Sequence, residues 1–171
     1  MPPRTGRPVN AMDFNQRLQR AIQRGEKTRD LRGRAAAERE MSAEEIKGLH
    51  SRYRLTLVER IEDCLRKLAD HFPGFDYQSV MSDSGWGARI SRDDLSVERR
   101  KGASFYSRLE VLVSPLGTAP IIELVAKGTI RNKEVFHRRN YQQLAEADMD
   151  SFQELIDIWV LDYAELYATG K

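Results

Sequence analysis

The chain has 171 residues, 40% hydrophobic and 32% charged, with a formal net charge of +2. That length suits one domain with one core, and the charge, above the ~25% usual for soluble domains, has to lie on surface or in an arm. The longest stretch without Asp, Glu, Lys or Arg runs only from Val111 to Ile122 and holds two prolines and a glycine, far short of the roughly 20 apolar residues of a membrane-spanning helix. The single cysteine, Cys64, excludes an intramolecular disulfide and a Cys-rich zinc site. The opening Met-Pro-Pro-Arg-Thr-Gly-Arg has no apolar secretory core. The expectation is a soluble cytoplasmic protein. Five arginines against one acid in residues 1–24 keep an organellar targeting segment in view.

Charge is unevenly spread. Residues 1–41 hold ten Lys and Arg against five acids, net +5, and residues 42–171 carry net −3. This predicts a basic, partly helical arm, 1–41, followed by a single α+β domain, 42–171. In the arm, Phe14, Leu18 and Ile22 recur at four-residue spacing on one helical face. Gly25 and the polar run behind it predict an interruption, hence two short helices that order fully only against a partner or the domain.

Ser42-Ala-Glu-Glu45 has the form of a capping box. It opens a long amphipathic helix with the stripe Ile46, Leu49, Tyr53, Leu57, Ile61, Cys64, Leu65 and Leu68, stopping near His71 because Pro73 and Gly74 follow. From Phe75 the period changes to two. Strands are expected over Phe75–Met81 and Trp86–Arg92, joined by Ser-Asp-Ser-Gly, then around Phe105–Val113, Pro120–Ile130 and Glu134–Arg139. Residues 93–103 read as a mobile connection. Asp150 with Gln153 predicts the cap of a closing helix from about Ser151 to Ala168, whose apolar face is Phe152, Leu155, Ile156, Trp159, Val160, Tyr163 and Tyr167. The sum is a meander of about five antiparallel strands with the closing helix on one sheet face.

Motif searches mostly exclude. Gly85-Trp86-Gly87 lacks the third glycine of a dinucleotide fingerprint, and no phosphate-cradling loop or nucleophile elbow is present. His50, His71 and His137 are not spaced as zinc ligands, and Cys64 lies on a buried stripe. No cofactor and no metal are implied.

Three constellations remain. A symmetric hairpin about Leu116-Gly117 would pair Leu109 with Leu124, Val111 with Ile122, and Glu110 with Glu123. Like charges face to face are unfavourable, relieved by Arg108 or Lys127, by a metal, or by a shared proton; Glu110 and Glu123 are thus the candidates for a metal- or acid-dependent enzyme. Lys127, Arg131, Lys133, His137, Arg138 and Arg139 crowd one hairpin, with Arg99-Arg100-Lys101 before the third strand and Tyr106 and Phe136 as stacking faces, a pattern that suits nucleic acid. From Glu146 to Glu165 there are seven carboxylates and no cation. Asp162 and Glu165 lie where the helix dipole disfavours them, and Arg17, Arg20 and Arg24 of the arm are matching cations, from the same chain or a second copy.

The leading reading is a non-catalytic intracellular protein-interaction or chaperone-like module, homodimeric, using the basic arm and the acidic helix. The alternative is nucleic-acid binding through the arm and the 127–139 hairpin. The topology invites comparison with small α+β secretion chaperones, although the helix that they insert within the sheet has no counterpart here.

Overall fold

A computed structural model describes residues 9–38, 41–95 and 104–170. The chain divides into two compact units between Met41 and Ser42. In the first, helix α1 spans Val9–Glu38 without a break. The expected interruption at Gly25 is not present. One glycine costs about 1 kcal/mol relative to alanine, and the Arg, Gln, Lys and Ala residues around it are strong helix formers. Every described side chain from 13 to 33 is exposed, so these residues form no apolar core among themselves.

The second unit begins with α2, Ala43–His71. The Ser42 hydroxyl accepts the Glu45 amide at 3.2 Å, and Glu44 and Glu45 sit in the first turn, where the dipole favours them. Phe72 ends the helix in an extended conformation, and Gly74 turns with φ +103. Strands β1 (Asp76–Ser82), β2 (Gly85–Leu95), β3 (Ser104–Val113), β4 (Ile121–Ile130) and β5 (Lys133–Gln143) follow, in the sheet order β1-β2-β3-β4-β5. Strand β2 thus runs to Leu95, past the expected start of a mobile connection; residues 96–103 lie outside the described residues. Helix α3 spans Met149–Ala168. Its cap is Asp148, whose carboxylate accepts the Asp150 amide at 3.1 Å, two residues before the Asp150 cap read from sequence. The Gln142 side chain also accepts the Asp148 amide, at 2.7 Å, which fixes where the helix starts.

Leu57, Ile61, Leu65 and Leu68 of α2 and Phe152, Ile156, Trp159, Val160 and Tyr163 of α3 share one buried cluster with Ile90, Leu109, Val111, Leu124 and Phe136 of the sheet. Both helices of the 42–171 unit therefore cover the same sheet face. Phe72, Phe75 and Tyr167 close one end, with ring centroids 4.8 to 6.5 Å apart.

The β3–β4 register departs from expectation. Leu109 faces Gly128, Glu110 faces Lys127, Val111 faces Ala126 and Val113 faces Leu124. The turn is centred two residues later than Leu116-Gly117, because the segment with Pro115 and Pro120 forms a longer loop in which the Ser114 amide reaches the Glu123 carbonyl. On its other side Gly128 pairs with Phe136 of β5, and an added Cβ there would lie 3.1 Å from the Phe136 and Tyr163 rings. The β4–β5 turn is carried by Arg131 (φ 48) and Asn132 (φ 69), the geometry of a tight two-residue hairpin.

Candidate interaction surfaces

Glu110 and Glu123 are not cross-strand neighbours. Glu110 accepts from Arg89 Nε at 3.0 Å and from Arg108, and its side chain is only 13% exposed. Glu123 faces Tyr141, accepts the Ser114 hydroxyl at 2.8 Å, and lies 3.9 Å from Arg139. The two acids are thus held by separate partners, and the paired-carboxylate site is withdrawn. Among the described residues no group of three or more His, Cys, Asp and Glu side chains could hold a metal.

The basic hairpin is partly spoken for. Arg138 donates to Asp162 at 2.6 Å and lies 4.4 Å from the Phe136 ring centroid. Arg131 donates to the Gly170 carbonyl. Lys127 faces both Glu110 and His137 across its neighbouring strands, and His137 lies 3.9 Å from Glu134. Lys133 and Arg139 are exposed. Phe136, expected as a stacking face, is buried in the core at 8% exposure, while Tyr106 is half-buried, its backbone bonded twice to Asn132. Arg99-Arg100-Lys101 lie outside the described residues.

The acidic helix separates into two sets. Asp157 forms a two-point ion pair with Arg60 of α2 and accepts the Cys64 thiol at 3.3 Å. The Arg60 guanidinium holds Asp157 below the usual carboxylate range, while burial raises the Cys64 thiol to about 11. Asp162 is taken by Arg138. Glu154 and Glu165 have no cationic partner among the described residues. Between them on the outward side lie Ile158 at 46% and Leu161 at 66% exposure. The sequence reading passed over this pair; the spacing 154, 158, 161, 165 was the available signal.

On α1, Arg17, Arg20 and Arg24 are exposed, and so are Phe14, Leu18 and Ile22, at 61%, 45% and 52%. On α2, Leu55, Val58, Glu59, Glu62 and Arg66 line a shallow open depression of about 300 Å³. His50, read as the edge of a stripe, is 3% exposed. It bonds to the Ser114 backbone, and burial, aided by Arg54, lowers its basicity; its Nε2 has no partner among the described residues. No described helix is long and apolar enough to cross a membrane. Comparison with known families, curated proteins and solved structures finds no match, so the functional reading rests on these surfaces.

Proposed function

We propose that the chain is a non-catalytic protein-interaction module whose docking element is α1. One observation carries this reading. A 30-residue helix presents an apolar row, Phe14, Leu18 and Ile22, with every described side chain from 13 to 33 exposed, and Arg17, Arg20 and Arg24 form a second row farther around the helix. An isolated helix gains little from such residues in water; an amphipathic helix laid on an apolar surface with acidic borders gains from both rows. The partner this fits is a protein face with an apolar centre and carboxylates beside it.

The nucleic-acid reading through the arm and the 127–139 hairpin is weaker, because Arg131 and Arg138 are engaged within the domain and Phe136 is buried. Every described residue of the core cluster lies beyond 42, so a 42–171 fragment is expected to fold with little loss of stability. It should then retain far fewer protein partners than the full chain when each is immobilised. Retention by the full chain should fall moderately between physiological salt and 1 M, as the screening length drops from ~8 to ~3 Å. Anisotropy with a labelled single-stranded oligonucleotide separates the alternatives: tight binding with a log–log salt slope near one unit per contacted phosphate would replace this reading with the nucleic-acid one.

A further inference from the structure

The outward side of α3 carries a single row, Glu154, Ile158, Leu161 and Glu165, at steps of four, three and four residues that align side chains along a helix. The row is ~16 Å long at 1.5 Å per residue. Its centre is apolar and exposed, and both of its ends are carboxylates without a cationic partner among the described residues. The row on α1 is its counterpart. Phe14 to Ile22 covers ~12 Å. Arg17 and Arg24 lie ~10 Å apart along the axis and about 100° around from the row, so their long side chains have to reach sideways and outwards to acids ~16 Å apart.

We propose that α1 of one copy lies along the outward side of α3 of a second copy, and reciprocally, giving an arm-exchanged homodimer. This rests on the reading of α1 as a docking element and names its partner. Leu18 and Ile22 cover Ile158 and Leu161, while Arg17 and Arg24 meet Glu165 and Glu154. The complementarity is present within one sequence: the arm has net charge +5, and of the seven carboxylates in 146–165 Asp157 and Asp162 are taken within the domain while Glu154 and Glu165 are left. Each copy offers one arm and one receiving face, so two copies satisfy both contacts and the assembly closes on a two-fold axis.

The test uses full-length chains and charge reversal, read by sedimentation and light scattering. The unmodified protein should have about twice the 19.7 kDa chain mass. R17E/R24E and E154R/E165R place like charges in both contacts of their own homodimers, and each should dissociate at least tenfold more readily. Mixed in equal amounts, they should form a heterodimer, because the reversed arm then meets the reversed face and the native arm meets the native face. All four positions are exposed, and unchanged thermal melts of the variants confirm folding; if a melt does change, Leu161→Ser is used to weaken the dimer instead. A monomeric unmodified protein, as when each arm lies on its own chain or on a foreign partner, overturns the exchange. So do variants that stay dimeric, or a mixture that gives no heterodimer. If the full chain is monomeric yet still retains protein partners that the 42–171 fragment loses, only this inference fails and α1 stands as a docking element.

Discussion

Tyr163 is fully buried, and its hydroxyl donates to the Thr129 carbonyl at 2.8 Å, beside the irregularity between Gly128 and Thr129 in the β4–β5 ladder. Tyr163→Phe keeps the ring against Phe136 and Gly128 but leaves that carbonyl without its donor, a loss of about 1–2 kcal/mol at neutral pH, or roughly 3–6 °C in melting temperature. The same substitution has the opposite effect in alkali. Burial, with Tyr167 adding to it, pushes the Tyr163 hydroxyl well above its ordinary value, so the folded state keeps a proton that the unfolded chain releases above pH about 10. The stability tied to that proton is complete below pH 10 and falls by ~1.4 kcal/mol per pH unit as pH rises towards the folded value. Phenylalanine cannot titrate. The gap between the two proteins in urea unfolding should therefore shrink from about 1.5 kcal/mol at pH 7 to near zero at pH 11. A gap that stays constant over that range would refute the claim that Tyr163 remains protonated in the fold.

Gly87→Ala should cost several kcal/mol, because its Cβ would fall 2.0 Å from the Val111 carbonyl oxygen; Gly48→Ala, in the open on α2, should instead stabilise by about 0.5–1 kcal/mol in the same urea titration. Trp159, 4% exposed in the core, should lose about 3–5 kcal/mol on replacement by alanine, seen as loss of a cooperative melt. Cys64, with its thiol raised to about 11, should react with iodoacetamide at pH 8 about 100-fold more slowly than an ordinary thiol, and unfolding in urea should abolish the difference. Glu110→Gln leaves Arg89 and Arg108 without their shared carboxylate and should cost about 1–2 kcal/mol, measured by thermal melting.

The order of the domain's elements was legible because each stretch obeys one period. The stripe of α2 and the alternation in β3 and β4 both point at a single face. The register was not legible, since several pairings place Leu109, Val111 and Leu124 on the same side. Pairings that differ by an even number keep every side chain on its own face, so the core came out right while Glu110 and Glu123 were mispaired. Gly128 beneath Phe136 and Tyr163, a close approach of β4 to β5 and α3, is likewise a contact between residues distant in sequence. Phe136 was read as a surface ring for the same reason: nothing local marks it as covered by α3. The arms of Arg60 and Arg138 across to Asp157 and Asp162 also depend on packing between elements. They leave Glu154 and Glu165 without a cationic partner among the described residues. Gly25 misled because propensity is summed over a helix and one poor residue does not decide it.

A sheet whose strands pair only with their neighbours in sequence can assemble as the chain leaves the ribosome, one hairpin at a time, without waiting for distant partners. The helix that seals it comes after all five strands. Until α3 is made, Leu124, Ala126 and Phe136 lie open next to unpaired strand edges. The nascent chain therefore passes through a state in which α2 alone covers the apolar sheet face, and a stall or truncation before about residue 150 should yield aggregates rather than a smaller folded domain. Helix α3 is in this sense a lid on the sheet: its arrival, more than the formation of any strand, marks when the apolar face of this unit is closed.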